Sequence, residues 1–233
     1  MTRLIAEAAK AVARPETEIR AVEPKFGPAS IEGPYDGAFA VPGLLARIAE
    51  AEAEGFDAHI IACFDDTGLD AARALALAPV IGIGEAGYHV ASLIAYRFSV
   101  VTTLACAIPT LEDNLERYGL RRRCGRVRAC EVPVLALEDP KSNARTRIRE
   151  EIERAKSEDQ AEAVVLGCAG MADLAASLSA DTGIPIIDGV AAAVVLAEGL
   201  AAMGLKTSKS GGYAMPNAKA YAGLFARFAP GQT

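Results

Sequence analysis

Apolar positions along the chain fall into short unbroken runs, separated by longer stretches in which they recur every three to four residues. The short runs read as buried strands and the longer stretches as helices. Helices are predicted over Leu4–Val12, Val41–Glu54, Leu69–Ala76, Gly87–Ala95, Pro109–Tyr118, Arg145–Lys156, Ala172–Leu178 and Val190–Met203. Strands are predicted over Glu18–Val22, Ala58–Cys63, Val80–Ile83, Phe98–Thr103, Arg126–Ala129, Ala163–Leu166 and Ile184–Ile187, with a Gly/Pro-rich loop at 23–37 ("EPKFGPASIEGPYDG"). Strands alternating with helices imply parallel sheets with helical crossovers. Near-continuous apolar strands imply that both sheet faces are covered. The expected class is α/β.

The pattern repeats. Cys63 and Cys168 each follow an apolar run and precede a helix, and they lie 105 positions apart (168 − 63). Shifted by that offset, Leu4–Val12 falls on the helix at 109–116 and Ile19–Val22 falls near Cys124–Val127. The Pro-led strands "PVIGI" and "PIIDG" match within one residue. Two pseudo-symmetric halves are therefore expected, each a parallel sheet flanked by helices, with the site in the cleft between them. Residues 1–95 form the half carrying Cys63, 96–205 the half carrying Cys168, and 206–233 a segment returning to the first half. The strand "FSVVTTL" that opens the second half has its counterpart ahead of Met1, so the first sheet is expected to lack one strand.

Composition narrows the function. With 52% hydrophobic residues among 233, the chain can bury a large core, and its net charge of −6 argues against a nucleic-acid or anionic-membrane partner. The basic stretch "RYGLRRRCGRVR" at 117–128 reads as a solvated helix end and loop. The apolar stretch Val190–Leu205 contains Glu198 and is too short for a membrane span, so it reads as a buried helix. Five cysteines without a CxxC, and two histidines without zinc spacing, exclude a disulfide framework and a structural metal site. No signal peptide is visible, and a reducing cytoplasm fits best. A small-molecule substrate, no metal, no cofactor and a homo-oligomeric assembly are expected.

Chemistry centres on the two matched thiols. Ligands of open parallel sheets bind beyond the carboxyl ends of the strands, where Cys63 and Cys168 both sit. A helix start next to each is expected to favour the thiolate. Two opposed thiols, one ionised and one protonated, suit removal of a carbon-bound proton on one face and its return on the other, which is racemisation. Cys106, Cys124 and Cys130 read as small buried hydrophobes. Asp65 and Asp66 have a plain reading as helix N-caps. Gly82, Gly84 and Glu85 do not form a dinucleotide fingerprint in its proper context.

The sequence resembles the aspartate/glutamate/hydantoin racemase superfamily, most closely its hydantoin racemases. The resemblance rests on "IIACFDDTGLDAAR" (60–73), "VIGIGEA" (80–86), "FSVVTT" (98–103), "PVLALED" (133–139), "VVLGCAGMADLA" (164–175), "IPIIDGVAAAV" (184–194) and "TSKSGGYAMP" (207–216). It implies cofactor-independent racemisation with Cys63 and Cys168 as the catalytic pair. Family members open with a strand ending in an Asn-Pro-Asn-Thr-type turn, and this chain starts just after the place of that motif. For a hydantoin substrate, deprotonation at C5 gives an enolate whose oxygen needs donors. Candidates are the backbone N–H groups of Phe64, Asp65, Asp66, Ala169 and Gly170, with Thr102 and Thr103 holding ring carbonyls or N–H groups. Racemisation of allantoin, itself a hydantoin, is the close alternative. Amino-acid racemisation and an inactive ligand-binding paralogue are more distant ones.

Overall fold

The computed structural model describes residues 1–139 and 141–231. Its helices are α1 (Thr2–Val12), α2 (Pro34–Glu54), α3 (Leu69–Leu75), α4 (Ile83–Ile94), α5 (Ile108–Arg117), α6 (Ala144–Glu158), α7 (Ala175–Thr182) and α8 (Gly189–Ala202). Its strands are β1 (His59–Ile61), β2 (Val80–Gly82), β3 (Phe98–Thr102), β4 (Cys124–Ala129), β5 (Ala163–Gly167) and β6 (Ile186–Asp188). All pairings are parallel: β1 pairs with β2, and a second sheet runs β4-β3-β5-β6. The α/β class and the parallel sheets flanked by helices agree with the sequence pattern.

Burial explains the layers. The strands β3 and β5 are buried at every position, as strands covered on both faces must be. On one face, Ile148 and Ile152 of α6 and Leu178 of α7 pack against Val101, Val164 and Leu166. On the other, Val100 and Val165 join Leu111 and Leu115 of α5 and the apolar faces of α4 and α8. A smaller cluster of Ile48, Ile61, Leu69, Ala72 and Val80 packs α2 and α3 on the first sheet. The helix α8, read from sequence as buried, buries Val190, Ala192, Ala193, Val194 and Ala197, and Asp188 caps it by accepting from the N–H groups of Val190 and Ala191. No helix among the described residues is long and apolar enough to cross a membrane.

Three expectations shift. Residues Glu18–Val22 belong to no strand or helix, and residues 18–31 make no backbone–backbone hydrogen bond among the described residues. A strand needs a neighbour about 4.8 Å away. Here a cavity of about 720 Å³ separates residues 18–24 from residues 58–63. Side chains hold the segment instead: Arg20 pairs with Glu54 at 2.5 Å and lies over the ring of Phe56, and Arg47 donates to the Glu23 carbonyl. The loop predicted over 23–37 is shorter, because α2 begins at Pro34, where a proline is pre-set for the first helical turn. The helix predicted from Gly87 begins at Ile83, directly after β2.

The tail after α8 lies on α3 and its C-terminal loop. Thr207 donates its N–H to the Leu77 carbonyl and its hydroxyl to the Ala78 carbonyl, and Lys209 caps the carbonyls of Arg73 and Ala74. Gln232 and Thr233, the end of the segment assigned to 206–233, lie outside the described residues.

The helices α4 and α8 cross closely at Gly189, where a Cβ would run into the backbone of Ile83. Gly199, on the same helix, has open space where its Cβ would sit. Gly189→Ala should cost about 1–3 kcal/mol by overpacking. Gly199→Ala should gain about 0.5–1 kcal/mol by removing a helix-interior glycine. Urea unfolding checks both, and equal effects of the two changes would contradict the close crossing.

Candidate active site

Beyond the carboxyl ends of β1, β3 and β5 lies a cavity of about 120 Å³. Cys63 enters from the turn after β1 and Cys168 from the turn after β5, so the repeat-matched thiols share one wall-to-wall space. Phe64, Asp65, Thr102, Thr103, Ala169 and Gly170 line it with them. Met1, Ile5, Ile31, Glu32, Leu104 and Val134 also line it, and nothing in their sequence context marked them.

Each thiol is half-buried and lines the cavity, and Cys63 also borders the larger cavity of about 720 Å³ beside residues 18–24. Burial pushes Cys63 up to about 11, helped by the nearby charge of Asp65. Burial pushes Cys168 up to about 12, and charge on Cys63 or Asp65 raises it further. Both shifts run against the thiolate-favouring effect expected from helix starts. The reason is visible in the turns: α3 begins only at Leu69, six residues after Cys63, and Cys168 leads into a 3-10 segment, Ala169–Leu174, rather than an α-helix. The dipole effect fades beyond the first turn, while removal from water acts in full. Backbone donors offset part of the cost at equivalent places, the N–H of Asp65 toward Cys63 and that of Gly170 toward Cys168. Thr67 adds its hydroxyl, 3.4 Å from the Cys63 sulfur.

The two aspartates part company. Asp65 lines the cavity, its side chain has no hydrogen-bond partner among the described residues, and burial pushes its pKa up to about 6. Asp66 turns away into the core. Its carboxylate accepts from the N–H groups of Gly84 (2.9 Å) and Glu85 (2.8 Å) and from the Tyr118 hydroxyl (2.8 Å). Neither residue caps α3, whose N-cap is Gly68; Asp66 caps α4 instead. The fit explains two glycines, since a Cβ on Gly82 or Gly84 would collide with the Asp66 carboxylate. The Asp66 N–H bonds the Cys63 carbonyl at 3.0 Å, which removes it as a substrate donor.

The threonines differ as well. Thr102 spends its hydroxyl on the Gly167 carbonyl at 3.1 Å, tying β3 to the Cys168 strand, whereas Thr103 lines the cavity with no such bond among the described residues. Cys124 and Cys130 are buried as expected; Cys106 is not. It sits in the 3-10 turn after β3 and lines the cavity from an exposed position. No cluster of three or more His, Cys, Asp or Glu side chains able to hold a metal occurs among the described residues.

Fold and site together define an α/β protein with one cavity lined by two thiols from separate sheets. The sequence pattern of the Asp/Glu/hydantoin racemase family matches residues 1–197. The chain is 52% identical over 223 residues to the hydantoin racemase of Rhizobium meliloti, covering 96% of this chain and 92% of that one. It is 46% identical to the hydantoin racemase of Pseudomonas sp. (strain NS671), covering 100% and 94%. Its structure matches that of the allantoin racemase from Klebsiella pneumoniae with a TM-score of 0.95 at 48% identity, over 98% of this chain and 94% of that one. The chain belongs to the Asp/Glu/hydantoin racemase family, and it is a racemase, an isomerase acting on a small molecule.

Because burial sets the thiols, their alkylation should track a small thiolate fraction. With iodoacetamide, peptide mass spectrometry should find the rates at Cys63 and Cys168 climbing about tenfold per pH unit from pH 7 to 10. A plateau near pH 7–8 would mean that backbone donors, not burial, control them.

Proposed function

We propose that the protein racemises 5-monosubstituted hydantoins by a two-base proton transfer at C5, with Cys63 and Cys168 as the bases and no cofactor. The observation that carries this reading is the pair of repeat-matched thiols lining one cavity. The relatives named hydantoin racemase support the substrate class.

The site's physics fits the task. C5 lies beside a ring carbonyl, so loss of its proton gives an enolate. A thiol raised by burial is seldom ionised at neutral pH, but its thiolate is a stronger base once formed. The unfavourable effect of charge on Cys63 upon charge on Cys168 keeps one thiol protonated while the other is ionised. One thiolate takes the proton from one face and the opposite thiol delivers its own to the other. The N–H groups of Phe64 and Ala169, each following its cysteine, are placed in our reading at the enolate oxygen. Those of Asp65 and Gly170 stay with the sulfurs. Thr103 and the carboxylate of Asp65 bind ring polar groups, Asp65 accepting from a ring N–H.

Two carboxyl side chains, Asp65 and Glu32, line the cavity, and Glu32 also accepts from the Val134 N–H at 2.9 Å. Their charge disfavours the carboxylate of a free amino acid and suits a neutral ring. Ile5, Ile31 and Val134 offer an apolar wall to an alkyl or aryl substituent. Allantoin racemisation is the second reading. It is supported by the likeness to the Klebsiella pneumoniae structure and by the partnerless Asp65 carboxyl, which can accept from a ureido group.

Racemisation of a single enantiomer of 5-benzylhydantoin and of allantoin, followed by optical rotation, tests the reading and ranks the substrates. Cys63→Ser and Cys168→Ser should each lower kcat by at least about a thousandfold, since serine's hydroxyl is far too weak an acid to replace the thiol. In deuterium oxide, the first product should carry deuterium at C5. Product formed without deuterium in a single turnover, or near-normal activity of either serine variant, would rule out the opposed-thiol mechanism.

A further inference from the structure

The turn that carries Cys63 belongs to the first sheet, yet it is gripped by a helix of the second. Three side chains on α5 and its C-terminal cap reach across. The buried amide of Asn114 donates to the Asp65 carbonyl at 2.9 Å. Arg117 pairs with Asp70, at the start of α3. The Tyr118 hydroxyl donates to the Asp66 carboxylate at 2.8 Å. Positions 114, 117 and 118 have the i, i+3, i+4 spacing that places side chains on one helix face. This face meets the segment 65–70 at three points.

That segment has reason to need holding. Asp66 has φ of +52°, a left-handed conformation uncommon for a residue other than glycine. Such a residue persists where its surroundings over-determine it. The Asp66 carboxylate is bound from both sides, by the N–H groups of Gly84 and Glu85 in the first half and by Tyr118 in the second. The Cys168 turn is held otherwise. At the pseudo-equivalent positions α1 and its cap carry Ala9, an exposed Val12 and Ala13; Ala9 shares a buried cluster with Ala169 and Ala172, and the Met1 side chain packs on Gly170. One thiol is thus placed by hydrogen bonds from the opposite half and the other by apolar packing.

We propose that Asn114 and Tyr118 are positioning residues for racemisation, fixing the Cys63 thiol opposite Cys168 by holding the Cys63 turn from the second half. Neither lines the cavity, so they act through the turn and not on the substrate. The kinetic part of this proposal rests on the two-thiol reading; the alkylation part does not.

The test uses Tyr118→Phe, which removes one hydroxyl, and Asn114→Ala, with exposed Arg122→Ala as a control. Iodoacetamide labelling resolved by peptide should show Cys63 changing its rate about three- to tenfold in both variants, with Cys168 within about twofold of wild type. kcat should fall by about tenfold with KM within about threefold, because misplacement by a fraction of an ångström weakens proton transfer more than binding. kcat/KM should fall equally from either enantiomer, as equal energies of the two hands require, so labelling rather than kinetics identifies the thiol that moved. Arg122→Ala should alter neither readout. Unchanged Cys63 labelling and unchanged kcat in Tyr118→Phe would overturn the proposal. So would equal changes at both thiols, the mark of general loosening. Altered Cys63 labelling with unchanged kcat would keep the grip on the turn but sink its role in turnover. Should Asn114→Ala fail to fold, Tyr118→Phe carries the test alone.

Discussion

Two thiols, carried on separate sheets, are brought to one small cavity, and in our reading the rest of the structure serves that meeting. A thiol in water ionises readily and faces no particular direction. Held in the cavity, each becomes a weaker acid, and in our reading a stronger base when ionised. Charge on one disfavours charge on the other. In our reading this coupling, added to burial, helps two identical side chains play opposite parts.

The rest of the architecture can be understood as the means of holding that pair. Parallel strands deliver both cysteines to the same end of their sheets. The helices α4 and α8 cross closely enough at Gly189 to bind the layers together. Thr102 ties β3 to the strand that carries Cys168. Asp66 ties the Cys63 turn to the start of α4 and to Tyr118. Buried polar groups with all their partners cost little, whereas the same groups with one partner removed become unsatisfied and expensive. The polar contacts around the Cys63 turn therefore specify position more than they add stability.

Most strands, most helices and the shared placement of Cys63 and Cys168 were legible because they depend on local pattern: apolar runs, helical periodicity and a 105-residue repeat. What stayed hidden depends on distant partners. Nothing within 18–22 says whether a neighbouring strand lies beside it, so an unpaired segment reads as a strand. The role of Asp66 was invisible because its partners lie 18, 19 and 52 positions away. Gly82 and Gly84 could be seen as unusual but not explained until the carboxylate beside them was placed. The acidity of the thiols was misjudged because a helix start is visible in sequence, while the protein packed around a sulfur is not. Cys106 was misplaced for a related reason: hydrophobic context along the chain does not say which side of a turn faces a cavity.

If each thiol serves one face, the two bases must be separable. Each enantiomer of a hydantoin, incubated separately in deuterium oxide with Cys63→Ser and in parallel with Cys168→Ser, separates them. With inversion blocked, the remaining thiol can still remove and return the C5 hydrogen on its own side. Proton NMR should then show each variant exchanging deuterium into only one enantiomer, the two variants choosing opposite hands, with configuration retained. Exchange of both enantiomers by either variant, or the same hand chosen by both, would contradict the account.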